Sequence, residues 1–309
     1  MPIRYFQDKD LSDARLMLLK EKEFADILRE SGTHVFAYRD RYWKETYPGF
    51  YEPVHWMASL KAEQATRPSP LCWGFRASLD DNSLAAANGG MPIILLQDLQ
   101  SYTLESLCSK RRSHIRKCQR RVKLVQLNGE PAKALLKQQG YQIFASAMKR
   151  FKNQKFLSRE EYLQKMNNYI DSGHYFVMGG ILGNELIGYL TAIAIDGTAY
   201  MDERLVRTDA LKTDLGSTLT FEFAQLCKRF GNIREIVSGQ HSPEKQSLTE
   251  FKLSMGFQVT YVPVKVEINP IIDRFIRWRY PNKYYRLKGP TSLQTVNSQQ
   301  SIGDREHFP

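Results

Sequence analysis

The sequence has few cysteines, and their spacing suits neither a metal site nor a disulfide framework. Its 309 residues include only four, Cys72, Cys108, Cys118 and Cys227, with no Cys-x-x-Cys pair. Zinc sites and disulfide frameworks both need cysteines at short or repeated spacings. We therefore expect reduced thiols, no bound metal and a cytoplasmic location.

Long apolar runs are also missing. No stretch of about 18 apolar residues, the minimum for a membrane-spanning helix, occurs anywhere in the chain. Residues Met1 to Asp10 are charged, and no apolar segment of the kind found in a secretory signal follows them. We expect neither a transmembrane segment nor a signal peptide.

Acidic residues are scarcer than basic ones: 33 Asp and Glu against 44 Lys and Arg give a formal net charge of +11. Such an excess attracts anions, so it favours a nucleic acid, an anionic lipid or a phosphate-rich cofactor as partner. The densest basic block runs from Lys110 to Arg121, and a second lies between Arg274 and Lys288. A mixed, solvated surface remains the alternative for both blocks.

The region from Gly173 to Ile268 has the clearest periodicity. Apolar runs joined by Gly183-Asn184 and Asp196-Gly197 predict β-hairpins, and an apolar stripe ended by Gly231 predicts a helix. The predicted order is three strands, a helix, a strand, a short helix and a last strand: Tyr175–Ile181, Leu186–Ile195, Thr198–Val206, Gly216–Phe230, Ile233–Ser238, a helix opened by a Ser247–Glu250 capping box, and Gln258–Ile268.

The preceding part of the chain is less regular. Residues 33–73 are rich in aromatics and prolines, and Ser101 or Thr103 is suited to cap a basic helix that runs to about Arg121. Two further helices are predicted, at 131–151 and 158–171, the second opened by the capping box Ser158-Arg159-Glu160-Glu161. Residues 290–309 are polar and aperiodic, which predicts a disordered tail.

The segment Leu215-Gly216-Ser217-Thr218 puts small residues and backbone donors at the start of a helix that follows a strand. Unpaired N–H groups and the helix dipole at such a point favour phosphate. We therefore interpret these four residues as a candidate cofactor-binding site. An ordinary helix cap that binds nothing remains the alternative.

Three segments, taken together and in order, resemble the GNAT superfamily of N-acyltransferases. The likeness is closer to its branch with a doubled fold, which includes the Fem-type aminoacyl transferases. The segments are the basic helix Leu107–Lys117, similar to the family's L-S-K-K-x-R-x-x-I-R-K; Leu215-Gly216-Ser217 at a helix start; and Leu248–Phe257, similar to L-x-x-F-K-x-x-x-G-F. The likeness covers roughly Leu95 to Ile268.

The resemblance implies an α/β fold with a mixed central sheet flanked by helices, in two GNAT-like halves. Residues 1–129, with the basic helix, would form a degenerate N-terminal half, and residues 130–289 the acyltransferase half. It also implies an acyl-CoA donor and an amine acceptor, either a small molecule or a peptide. Of the family's pyrophosphate-loop pattern, residues 207–217 retain only Gly216, so an aminoacyl-tRNA donor stays open.

The resemblance further implies that Lys252 stabilises negative charge on the tetrahedral intermediate or the leaving group, as a cation in a dry cleft can. An amine nucleophile needs a base. Strand alternation predicts Asp202 on one face with Arg204, and Glu203 on the other face among apolar neighbours, where its pKa would rise. We therefore name Glu203 and His241 as candidate bases, with ion pairing and solvation as the alternatives.

The basic helix has an exposed side on which Arg111 and Arg112 are candidate substrate-binding residues, either for tRNA phosphates or for an anionic surface. The segment Phe275–Arg286 interleaves aromatics with cations, which suits base stacking, a lipid surface or packing on the core. The sequence thus predicts an acyltransferase. A non-catalytic module that binds RNA or a membrane on the same fold is the rival hypothesis.

Overall fold

The computed structural model describes residues 2–7, 10–150 and 156–290, and the predicted disordered tail lies outside these residues apart from position 290. Its strands are β1 Leu18–Leu19, β2 Val35–Tyr38, β3 Arg41–Tyr47, β4 Phe50–Pro53, β5 Gly74–Ser78, β6 Gly89–Leu96, β7 Lys123–Gln126, β8 Phe176–Leu182, β9 Glu185–Ile195, β10 Thr198–Val206, β11 Glu235–Gln240 and β12 Gln258–Ile268.

The helices are α1 Pro2–Gln7, α2 Glu21–Glu30, α3 Ser109–Gln119, α4 Gly129–Leu135, α5 Tyr141–Met148, α6 Arg159–Ser172, α7 Leu215–Phe230, α8 Gln246–Leu253, α9 Pro270–Arg279 and α10 Pro281–Lys288. A single π-helical turn, Leu136–Gly140, joins α4 to α5. Within the described part of the chain, no helix has the length and apolar character needed to span a lipid bilayer.

The chain divides into two compact units. The first comprises the described residues within 2–19, 95–239 and 251–258, and the second comprises those within 20–94, 240–250 and 259–290. The basic helix α3 packs against α7 and so belongs to the same unit as the periodic region, and the division into two GNAT-like halves at residue 129 stays a prediction. Contacts between residues that are distant in sequence determine which elements belong to one unit. The local sequence pattern does not indicate such contacts.

In the first unit, β7, β8, β9 and β10 form an antiparallel sheet that β11 extends by pairing parallel to β10. Alternate residues of these strands face opposite sides. One side packs on a core shared with α4, α5 and α6, and the other side packs on α7. Both predicted glycine turns are confirmed, with Asp196 and Gly197 in the left-handed region that a tight hairpin requires.

Two strand glycines allow the start of α7 to lie very close to this sheet. Side-chain atoms of Leu215 lie 2.6 Å from the position that a Cβ would take at Gly180, and 2.8 Å from that position at Gly188. Any side chain on either glycine would push the helix away. The absence of two β-carbons therefore fixes the height of the α7 start above the strands.

In the second unit, the strand order is β2-β3-β4-β5-β12-β6, with β4 and β5 parallel and β5 antiparallel to β12. Its core is aromatic: the rings of the fully buried Trp43 and Phe75 meet edge to face, with centroids 5.8 Å apart. A buried ion pair joins Arg76 on β5 to Glu52 on β4. The irregular, proline-rich segment at residues 33–73 thus contains three short strands.

Several predicted helix ends are confirmed and others are wrong. Ser158 caps α6 and exchanges hydrogen bonds with Glu161, as predicted. The basic helix begins at Ser109, so neither Ser101 nor Thr103 caps it; both hydroxyl-bearing residues precede a turn. The predicted capping box at Ser247 does not form, because α8 already begins at Gln246.

Candidate active site at the fork between two strands

The site lies where β10 and β11 stop pairing. Only Thr198, Ala199 and Tyr200 of β10 have partners in β11, and the rest of β10 continues to Val206 beyond them. Helix α8 supplies two adjacent side chains at this fork, Phe251 against β10 and Lys252 against β11. The two strands therefore separate beyond Tyr200, and the fork is lined by side chains as well as by backbone.

Two guanidinium groups flank the ring of Phe251. The central carbon of Arg204, on β10, lies 4.2 Å from the ring centroid, and that of Arg111, on α3, lies 5.0 Å from it. A cation over an aromatic face is attracted by the ring quadrupole, so the ring holds two like charges near one another. Three elements that are distant in sequence thus converge on one ring.

The hydrogen bonds of both guanidiniums end on uncharged oxygens. Arg204 Nη1 donates to Thr220 Oγ1 at 2.6 Å; Arg111 donates from Nε to Ser254 Oγ at 3.0 Å and from Nη1 to Ser217 Oγ at 3.2 Å. Within the described ranges, no carboxylate forms an ion pair with either arginine. The pair therefore carries two positive charges without a counter-ion from the described part of the protein.

Burial, together with the charge of Arg111, lowers the pKa of Arg204 to about 10. The group stays charged at neutral pH, but its charge is held at a cost in free energy because desolvation and like charge both oppose it. An anion would remove that cost. Both arginines keep part of their surface accessible to solvent, so a ligand can reach them.

Lys252 lies beside this pair. Its ammonium group donates a hydrogen bond to the carbonyl of Ser238, the residue that follows the last β11 residue paired with β10. The side chain is half-buried, and its Nζ lies 3.8 Å from where a Cβ would stand on Gly239. The structure therefore aims three cations, Arg111, Arg204 and Lys252, at one fork.

The predicted cofactor-binding segment forms the first turn of α7, but three of its four amides already have acceptors. The amide of Leu215 donates to Thr213 Oγ1, and those of Ser217 and Thr218 donate to the carbonyl of Asp214. The Leu215 side chain is buried in the core. Phosphate binding by these amides remains a prediction; Gly216 faces Arg204, whose Nε lies 3.8 Å from a Cβ built there.

Glu203 lies on the other face of β10 from Arg204. It forms a 2.7 Å ion pair with Lys165 of α6, and its backbone amide donates to Thr191 Oγ1. The predicted alternation is wrong at Asp202, because a bulge between Met201 and Glu203 turns both carboxylates toward α6. The structure does not bring Glu203 to Lys252, and its role as a base remains a prediction.

His241 belongs to the second unit. Its Nδ1 lies 2.7 Å from the hydroxyl oxygen of Tyr285 on α10, and its backbone amide donates to the carbonyl of Pro92. Burial raises the pKa of Tyr285, so this hydroxyl stays protonated. These contacts hold the His241 side chain in place, whereas the alternative to its role as a base was a solvated loop residue.

The two predicted substrate-binding arginines separate in the structure. Arg111 faces the fork, whereas Arg112 turns back and donates to the carbonyls of Leu107 and Glu105, which precede its own helix. Along α3 and just after it, Lys110, Arg116, Lys117, Arg120 and Arg121 are exposed. A basic surface therefore continues along the helix that provides Arg111.

Sequence reasoning missed Arg204, Phe251 and Ser254. Arg204 was predicted only to share a strand face with Asp202, and Phe251 entered only as part of the Leu248–Phe257 segment. The available signal was the strand period: Arg204 lies on the opposite face of β10 from Glu203, the face that packs on α7.

No protein-family model and no curated protein matches the sequence. Solved structures match in fold. FemX aligns with a TM-score of 0.56 at 9% identity, covering 89% of this chain and 96% of its own. The C-terminal domain of a putative lysylphosphatidylglycerol synthetase from Agrobacterium fabrum gives 0.54 at 10% identity, covering 88% and 98%. L-PGS from Bacillus licheniformis gives 0.52 at 12% identity, covering 81% and 92%.

These similarities extend over most of each chain, at identities that establish the fold alone. The predicted GNAT-like α/β fold, with a mixed sheet flanked by helices, is confirmed by its similarity to these three structures.

Proposed function

We propose that this protein is an acyltransferase that uses aminoacyl-tRNA as donor and passes the aminoacyl group to an acceptor amine, forming an amide. The observation that carries the proposal is that the guanidiniums of Arg111 and Arg204 both lie over the ring of Phe251, the residue that precedes Lys252. Two guanidiniums without a carboxylate partner suit a phosphate, which accepts charge-assisted hydrogen bonds from both.

We assign to Lys252 the role of stabilising the charge that develops during the reaction. Attack of the amine on the ester carbon forms a C–N bond and a negatively charged tetrahedral intermediate. Collapse then breaks the C–O bond, and the proton lost by the amine ends on the departing ribose oxygen. A cation held at the fork by the Ser238 carbonyl favours the charged intermediate over the substrate, which is what accelerates the step.

Two features favour tRNA over acyl-CoA as donor. Amides in the first turn of α7 already donate within the protein, which weakens the case for an amide-lined pyrophosphate site. The exposed cations of α3 lead away from Arg111 and suit a donor with many successive phosphates. The full-length similarity to FemX is consistent with the same choice.

The test is ligand-dependent thermal stabilisation, because a donor that binds only the folded state raises the melting temperature. The protein is melted with bulk aminoacyl-tRNA, acetyl-CoA and longer acyl-CoAs. We expect a shift with tRNA that the Arg111→Met/Arg204→Met double variant lacks and that Arg207→Met keeps, since Arg207 pairs with Glu185 and Asp209. A shift with acyl-CoA alone would instead favour the CoA-dependent reaction.

A non-catalytic module that binds RNA would also be stabilised by tRNA. It would respond equally to charged and uncharged tRNA, and it would discharge neither. Incubation of charged tRNA with a pool of amines, with formation of the labelled amide followed over time, therefore separates the transferase from the module.

A further inference from the structure

Helix α9 presents a row of apolar side chains to solvent. Ile271 is 81% exposed, Trp278 is 77% exposed and Phe275 is 52% exposed. Their spacing of four and three residues puts them on one stripe, about 60° wide at the 100° turn per residue of an α-helix. Large apolar residues this exposed on one stripe mark an interaction surface rather than chance exposure.

Cations border this stripe on both sides. Arg274 and Arg279 are exposed, and each lies about 40° beyond an edge of the stripe. On the opposite side of α9, Ile272 and Ile276 are half-buried. Arg277 donates to the hydroxyl of Tyr284 on α10 at 2.9 Å. The helix is thus fixed to its own unit by one side while the other stays open.

We propose that α9 is a docking surface for an anionic lipid membrane, lying in the plane of the interface with Ile271, Phe275 and Trp278 in the acyl region. Interfacial helices combine a stripe of Trp, Phe and aliphatic residues with flanking Lys or Arg that contact anionic headgroups. The long arginine side chains reach the headgroups while their methylene groups remain near the apolar stripe.

The composition of this surface favours a membrane as its partner over RNA or a second copy of this chain. Ile271 is the most exposed member and has no ring to stack on a base, which an RNA surface would need. A second copy of α9 would add two further exposed arginines, Arg274 and Arg279, to the same interface, and like charges at an interface oppose association. An anionic bilayer offers an acyl region to the apolar stripe and negatively charged headgroups to the two arginines that border it.

Vesicle flotation tests this surface. The full chain is mixed with vesicles of phosphatidylcholine, alone or with phosphatidylglycerol added, and bound protein is measured. We expect binding to the anionic vesicles, lowered at least about tenfold by Ile271→Ser/Trp278→Ser, and lowered about fivefold by each of Arg274→Gln and Arg279→Gln. Leu71→Ser, at a site 86% exposed in the same unit, is the matched control and should bind as the unaltered chain does.

Tryptophan emission gives a second readout, because Trp278 is far more exposed than the fully buried Trp43. Anionic vesicles should shift the emission to shorter wavelength, and Trp278→Phe should remove the shift. Equal binding to neutral vesicles, or undiminished binding by Ile271→Ser/Trp278→Ser, would overturn the proposal. So would a lipid-free dimer that this double change dissociates.

The RNA alternative has its own signature. Binding of single-stranded RNA that both arginine changes weaken and Ile271→Ser leaves intact would replace the membrane as the partner of this surface. The proposal does not depend on the donor at the strand fork, so loss of vesicle binding leaves the transferase proposal standing and the reverse also holds.

Discussion

Replacing Arg204 by methionine should stabilise the free protein while removing its response to donor. The side chain has a pKa of about 10 in place of 12.5, and a shift of that size corresponds to at most about 3 kcal/mol of unfavourable interaction with the charged form. Methionine removes this charge but keeps much of the volume. It also loses the hydrogen bond to Thr220 and the stacking on Phe251, together about 2 kcal/mol.

The net expectation is a free energy of unfolding that stays equal or rises by about 1 kcal/mol, because relief of the buried charge outweighs the missing hydrogen bond and cation–π interaction. Urea unfolding of the ligand-free protein measures it, and thermal melts with and without aminoacyl-tRNA measure the response. Such a stabilising change at a functional residue is typical of sites whose strain serves ligand binding. The matched change Arg207→Met breaks two ion pairs at the end of the same strand and should leave the tRNA response intact.

The reasoning would be refuted if Arg204→Met lowered the free energy of unfolding by more than about 2 kcal/mol and kept the tRNA response. That result would make Arg204 a structural cation satisfied by its neutral partners.

The remaining predictions concern stability. Ser158→Ala should lower the free energy of unfolding by about 1 kcal/mol in urea titrations, whereas Ser247→Ala, inside α8, should change it little. Gly188→Ala should cost about 1–3 kcal/mol because a Cβ there stands 2.7 Å from a backbone carbonyl of β10, whereas Gly216→Ala fits and should preserve or raise stability. Burial lowers the pKa of His55 to about 3, so stability should fall by about 2 kcal/mol between pH 6.5 and pH 5, a slope that His55→Gln removes.

The sign of the pH effect follows from proton binding. The unfolded chain protonates His55 near pH 6.5 and the folded chain only near 3, so acid in this window favours unfolding. An unchanged acid slope in His55→Gln would contradict this. A tolerated Gly188→Ala would contradict the close seating of α7, and equal costs at Ser158 and Ser247 would contradict the difference between the two caps.

The elements with local signals were predictable from the sequence. The glycine turns at 183 and 196, the capping box at Ser158 and the bounds of β12 depend on residues within a few positions of one another. The order of these elements, together with the Leu248–Phe257 segment, was enough to identify the fold. Lys252 was named as a candidate site residue because it lies within that same segment.

The rest depends on contacts between distant residues. Nothing near Arg204 in the sequence indicates that Arg111, 93 positions earlier, lies on the same aromatic ring. No glycine marks the bulge at Asp202 in the sequence. Because of this bulge, the Asp202 carboxylate lies on the face opposite to the one predicted. Packing on the core was one of three alternatives for the segment that contains Trp278, and the exposure of this residue follows from which side of α9 meets α10.

The central claim is that Lys252 promotes transfer of an aminoacyl group from tRNA at the fork between β10 and β11. The most direct measurement is the protein-dependent discharge of labelled aminoacyl-tRNA in the presence of a pool of amines, for the unaltered chain and for Lys252→Ala. We predict discharge with formation of labelled amide, slowed about 100-fold or more by Lys252→Ala at nearly unchanged tRNA affinity. Equal discharge by both proteins, or consumption of acyl-CoA with none of tRNA, would contradict the account.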